Sequence, residues 1–188
     1  MDPLDIIHKF YPPESDLCRI LTDHSRRVAD KALAIARHLV RHQTGISLDQ
    51  DFIEQAAMLH DIGIFKTRAG SLGCTGTFPY ICHGYLGREI LDEAGLDPAF
   101  GLVAERHTGA GITLDNIRLN NLPLPHRDMV PLTLEEKIIC CADKFFSKSP
   151  KKQGHTATLA EIRAELSTID PIHGERFQTM AEELLIQE

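Results

Sequence analysis

An apolar stripe returning at the 3.6-residue helical period runs through residues 15–43 and constrains the fold of this chain more than any other feature. Leu17, Ile20, Leu21, Val28, Ala32, Ile35, Ala36 and Leu39 lie on it, Ser15 is placed to cap its start, and His24 falls on the apolar face. So long an amphipathic helix needs other helices to cover it, and the same period recurs downstream. Asp49 or Asp51 can start a second helix through Phe52, Ile53, Ala56, Ala57 and Leu59 that delivers His60 and Asp61 before Gly63 stops it. A third runs from His83 through Leu86, Ile90 and Leu91 to Gly95, and a fourth from Asp97-Pro98 to His107. A fifth follows Thr133, where Thr133-Leu134-Glu135-Glu136 reads as a capping box ahead of Ile138, Ile139, Ala142 and Phe146. Two more occupy about 156–167 and 171–187. No segment alternates convincingly as a strand, and no repeat is present, so the class is all-α.

Glycine and proline mark 64–82 and 108–132 as irregular stretches, of the kind that is often functional when it persists in a compact domain. At 188 residues the chain matches one domain, which at this size buries roughly 70% of its unfolded surface and can house a buried polar site. Its formal charge of −7 excludes a broad nucleic-acid surface but leaves room for small phosphorylated ligands, which need only local cations. No apolar run approaches the roughly 20 residues that span a bilayer, and Met1-Asp2-Pro3-Leu4-Asp5 begins acidic, unlike a secretory leader. Five cysteines, an odd number without a CxxC, read as reduced core thiols, so the expected location is cytoplasmic.

Within this frame His60-Asp61-Ile62-Gly63 places an imidazole beside a carboxylate, with His24 upstream and His83, His107 and Asp143 downstream. Mixed imidazole and carboxylate sets suit Fe, Mn, Co, Ni or Zn better than Ca, and Mg is a further option. Six such ligands suffice for one or two divalent ions, with Asp61 the candidate bridge between ions about 3.5–4 Å apart. A lone histidine on an apolar face is more often a hydrogen-bonded core residue. Burying Asp61 and Asp143 among Leu, Ile and Phe, however, costs several kcal/mol unless a cation compensates them. Arg27, one turn from His24, and then Lys66, Arg106 and Lys144 are the candidate cations for a substrate; Arg68 and Lys148 are weaker, and the run from Lys148 to Lys152 reads as a solvated turn. His8, His38, His42, His126, His155 and His173 read as surface residues.

These residues resemble the HD-domain phosphohydrolase superfamily, in particular the subgroup named for the HDIG tetrad, over about residues 17–148. The resemblance implies an all-α HD-domain bundle of about six to eight helices, one domain over 1–188 with a C-terminal helical extension at 155–188. It implies His24, His60, Asp61 and Asp143 as the minimal ligand set. His83, in His83-Gly84-x-x-Gly87, and His107, in Arg106-His107-Thr108-Gly109, look like the added histidines of the binuclear branch, and the whole is similar to uncharacterised HDIG proteins of archaea and bacteria. The implied function is hydrolysis of a phosphate ester or anhydride, in all expectation of a nucleotide, by a metal-activated water. Asp61, Lys66 and Arg27 are then the catalytic candidates and Arg106, Lys144 and Tyr80 the substrate-binding ones, with Phe78 or Tyr80 available to stack on a base. The Gly-Tyr-Pro signature of cyclic-di-GMP phosphodiesterases is absent after His107, and the lysine that often follows the tetrad is displaced to Lys66. Two alternatives stand beside it: a mixed-valent di-iron oxygenase, which shares the ligand order and is separated by its need for reduced iron and oxygen, and a non-catalytic nucleotide-binding module, disfavoured by the intact ligands.

Overall fold

The computed structural model describes residues 1–148 and 154–186, and among these it contains nine α-helices. The seven helices expected from periodicity all form. α2 (Asp16–His42) is the spine, capped by Ser15, whose hydroxyl accepts from Cys18 N at 3.1 Å. Its apolar face packs on α3 (Gln50–Leu59), capped by Asp49, and on α7 (Leu134–Lys144). α4 (His83–Glu93) packs closely on α5 (Pro98–Arg106), and α8 (Leu159–Ile169) pairs with α9 (Pro171–Glu183) at the C-terminal end. Burial of Leu21, Val28, Leu39, Ile53, Leu59, Ile90, Ile138 and Phe177 in one continuous cluster joins these helices.

Two short helices carried no periodic signal: α1 (Pro3–Ile7) and α6 (Leu114–Leu119), which lies inside the irregular stretch 108–132. Six residues or fewer are less than two turns, too short for an apolar stripe to repeat. The 64–82 stretch likewise holds two short strands, β1 (Arg68–Ala69) and β2 (Cys74–Thr75), paired antiparallel. A two-residue strand shows no alternation. The end of the last predicted helix, residue 187, lies outside the described residues.

Two local expectations are corrected. Gly63 does not end α3 through a left-handed turn; its φ is −80° and the helix ends before it. The glycine is required by proximity, since a Cβ there would sit 2.6 Å from Gly87 N and closer still to His83 O. At Thr133 only half of the capping box forms: the hydroxyl accepts from Glu136 N at 3.2 Å, but the Glu136 carboxylate turns to Arg106 and to Leu132 N. One further contact ties the N-terminus to the centre of the fold. The buried Tyr11 donates its hydroxyl proton to Ile62 O at 2.7 Å and accepts from Phe65 N at 3.3 Å, which clamps the backbone on both sides of Gly63.

Candidate metal centre

His60 ends α3, His83 opens α4 and His107 ends α5, and the three rings are fixed in the same way. Each Nδ1 lies on the carbonyl three residues earlier: His60 on Ala57 O at 2.6 Å, His83 on Tyr80 O at 2.7 Å, His107 on Ala104 O at 2.7 Å. A carbonyl can only accept, so each Nδ1 carries the hydrogen, and in the neutral ring each Nε2 is a bare lone pair. For His60 and His107 the accepting carbonyls belong to a helix's last turn, where the backbone leaves them without a helical partner. Residue order at helix ends thus sets the tautomer that a metal requires.

All three Nε2 atoms point at Asp61, which is fully buried. Its Oδ2 lies 3.2 Å from His60 Nε2 and 3.4 Å from His24 Nε2, and its Oδ1 lies 3.3 Å from His83 Nε2 and 3.4 Å from His107 Nε2. Asp143 closes the first side, with Oδ1 3.0 Å from His24 Nε2 and 3.4 Å from His60 Nε2. Two groups therefore converge: His24, His60, Asp61 and Asp143 in one, Asp61, His83 and His107 in the other, with Asp61 common to both.

These separations fit divalent ions. Two ligands each about 2.1 Å from one ion and about 90–110° apart lie about 3.0–3.4 Å from each other. Two further observations favour a cation over a hydrogen-bonded cluster. Neither Asp61 oxygen accepts a hydrogen bond of adequate geometry, although both are buried; Oδ2 is met by the Lys148 ammonium at 2.6 Å, and Oδ1 faces only the two imidazole nitrogens. His83 Nε2 and His107 Nε2 face each other at 3.0 Å with both ring hydrogens already committed to carbonyls, so two lone pairs oppose unless a cation lies between them.

The electrostatics agree. Burial, set against the pull of Asp61, holds His83 down at about 3; burial and the Lys148 ammonium hold His24 at about 4; and burial also lowers His107. All three rings are thereby held in the neutral form that a metal ligand needs. His60 differs: burial opposes its protonation, but the Asp61 and Asp143 carboxylates outweigh it and push the ring up to about 9. Both carboxyls stay well below the usual range despite their burial, Asp61 through Lys148 and His60, Asp143 through Lys144 and Lys148.

The cations do not sit where sequence spacing put them. Lys144 Nζ contacts Asp143 Oδ2 at 2.5 Å. Lys148 is corrected outright: its ammonium lies 2.6 Å from Asp61 Oδ2, its side chain is 12% exposed, and it is part of the centre rather than of a solvated turn. Residues 149–152 of that run lie outside the described residues. Nothing in the local pattern signals Lys148, because it follows the end of α7 in irregular chain. Arg27 instead lays its guanidinium over the Phe146 ring, 4.4 Å from the centroid. Arg106 is bound by both oxygens of Glu136 at 2.9 and 3.0 Å, a partly buried pair that joins α5 to α7. Lys66 is half-buried, with its backbone tied to Phe78. His173, expected at the surface, is buried at 7% exposure.

Beside the first group opens a cavity of about 810 Å³ lined by Arg68, Tyr80, Asp143, Lys144 and Lys148, with Ile162 and Leu166 of α8 on the far wall. Tyr80 stacks on His83, ring centroids 4.7 Å apart and 26° from parallel. The Phe78 side chain is 41% exposed and does not line the cavity. All five cysteines are buried free thiols, and among the described residues no helix is long and apolar enough to cross a membrane.

The chain is similar to several known proteins. An uncharacterised protein of Methanocaldococcus jannaschii is 37% identical over 66% of this chain and 65% of its own. Two proteins named tRNA (cytidine(56)-2'-O)-methyltransferase match as well: that of Picrophilus torridus at 33% identity over 85% of this chain and 48% of its own, and that of Thermoplasma volcanium at 29% over 77% and 35%. This chain thus spans from about a third to two thirds of the length of these relatives. Among solved structures, the HD domain of the Listeria monocytogenes phosphodiesterase PgpH superposes with a TM-score of 0.53 at 16% identity, covering 97% of this chain and 94% of that one. Its complex with cyclic-di-AMP gives 0.54 at 16%, covering 98% and 94%. At that identity the likeness establishes the fold. The model of the HD domain family matches residues 21–147, the stretch that supplies all six converging side chains, and the chain belongs to that family.

Proposed function

We propose that this protein is a metal-dependent phosphohydrolase that cleaves a phosphate ester or anhydride of a nucleotide at a two-metal centre. The observation that carries the reading is the position of Asp61, whose two oxygens face two separate groups of ligands. His24, His60 and Asp143 would hold the first ion with Asp61, and His83 and His107 the second. When bound, such ions supply Lewis acidity and bring the pKa of a water toward neutrality for attack on phosphorus. The protein's own part is then to fix the His60, His83 and His107 rings by their Nδ1 hydrogens, to keep Asp61 ionised, and to present Lys144, Lys148 and Arg68 to phosphoryl oxygens entering from the cavity. Tyr80, held flat on His83, offers a ring face at the cavity mouth.

A nucleotide substrate is supported by the cyclic-di-AMP complex of the Listeria domain, which shares the fold. The relatives named for tRNA methylation favour a second reading, in which the phosphate ester belongs to RNA. The net charge of −7 weighs against it.

The test is release of phosphate or nucleoside phosphate from a panel of dinucleoside polyphosphates, cyclic nucleotides, mononucleotides and tRNA, with Mn, Fe(II), Co or Mg under anaerobic conditions. Turnover by wild type that vanishes in Asp61→Ala supports the hydrolase and names its substrate. No turnover by protein confirmed to hold two ions, with oxygen consumption once iron is reduced, moves the assignment to oxygenase chemistry.

A further inference from the structure

Lys148, offered above to phosphoryl oxygens, also sits where the first ion would be held. Its Nζ lies 2.6 Å from Asp61 Oδ2, 3.1 Å from His24 Nε2 and 3.8 Å from Asp143 Oδ1. Those atoms supply three of the four ligands that converge in the first group. A divalent ion at about 2.1 Å from the same Asp61 oxygen and the same His24 nitrogen would draw on lone pairs that already face a full positive charge. In a buried site, two cations on one carboxylate oxygen repel strongly. Lys144 is placed differently. It contacts Asp143 Oδ2 and leaves Oδ1 directed at His24 and His60, so it supports the ligand without competing for it.

We propose that Lys148 is a built-in competitor for the first metal position: its ammonium neutralises Asp61 and Asp143 until a divalent ion displaces it into the adjoining cavity. The displaced side chain has somewhere to go. It already lines the cavity of about 810 Å³, and its flexible four-carbon stem can carry the charge away from Asp61 while α7 stays in place. The exchange is one of cations, with the ammonium keeping its proton. It makes metal affinity a difference between two occupants of one carboxylate, weaker than the ligand set alone would give. It also gives the buried carboxylates of Asp61 and Asp143 a compensating charge from the chain itself.

Brief acylation of wild-type protein with acetic anhydride, metal-free and Mn(II)-loaded, followed by mass spectrometry of the Lys144 and Lys148 peptides, tests the exchange. The expected result is several-fold faster modification of Lys148 on loading, with Lys144 unchanged. Equal or slower modification of Lys148, in protein shown by metal analysis to be loaded, overturns the proposal. A second arm titrates Mn(II) into metal-free Lys148→Met and Lys148→Arg. The methionine variant should bind at least about tenfold more tightly than wild type and the arginine variant close to it; equal or weaker binding by Lys148→Met overturns the proposal. Should Lys148→Met fail to fold without metal, the labelling of wild type decides alone. Neither arm reads turnover, so a protein inactive on every phosphate ester would remove the hydrolase assignment and leave this one standing.

Discussion

On one side of Asp61, His83 and His107 are held by carbonyls three residues away, in a wall where Gly63, Gly84 and Gly87 let α4, α5 and the tetrad approach at backbone contact. On the other, His24 and Asp143 come from α2 and α7, 119 residues apart, and meet beside an open cavity with a lysine set against them. The first side is closed and ordered by local geometry. The second is assembled by tertiary packing and remains accessible. The difference assigns them different work: the closed side is suited to keep an ion, the open side to exchange one and to receive a ligand.

Removing the shared residue should have the largest effect. Asp61→Asn keeps the shape and removes the charge from both sides, and phosphate release should fall by about a thousandfold or more, with metal content per chain collapsing. Retention of two ions by this variant would break the comparison at its hinge. Next comes the closed wall. Gly63→Ala places a methyl against His83 O and Gly87 N, and urea unfolding should show a loss of about 3 kcal/mol or more. Gly87→Ala, whose Cβ would meet Ala104 Cβ at 3.3 Å, should cost under about 1.5 kcal/mol. Chelation of loaded protein should then lower unfolding free energy by about 2.7 kcal/mol relative to metal at a hundred times its dissociation constant. His107→Ala should remove the ion of the closed side alone, so that elemental analysis finds one ion fewer per chain. Loss of both would mean that the two sides act as one. Lys66→Ala, outside the cavity, should change stability by no more than about 0.5 kcal/mol.

The seven longer helices were legible because each buries a stripe spanning at least two turns, and the glycine and proline punctuation located both irregular stretches. The six candidate ligands were legible through their resemblance to a family pattern, and the structure brings all six side chains together. What escaped had no periodic cause. α1 and α6 are too short, and Lys148, ranked only among the weaker cations, belongs to an irregular segment just past Phe146, which pairs with Thr156. Arg27 shows the opposite failure. It lies one turn from His24 as expected, but the Phe146 ring, just past the end of α7, takes the guanidinium. His173 could be reached only through the packing of α9.

Tyr11 bears on where this chain can be cut. The family match begins at residue 21, and a fragment trimmed to it would lose the phenol that braces Ile62 O and Phe65 N on either side of Gly63. The buried Ile62 O and the partly buried Phe65 N beside the tetrad would then lack their partner, at about 1–3 kcal/mol for the buried one. An excised fragment that binds metal poorly would therefore be reporting on its missing first twenty residues. The family match is shorter here than the stretch of chain whose contacts reach the tetrad, and a tyrosine outside the motif marks the difference.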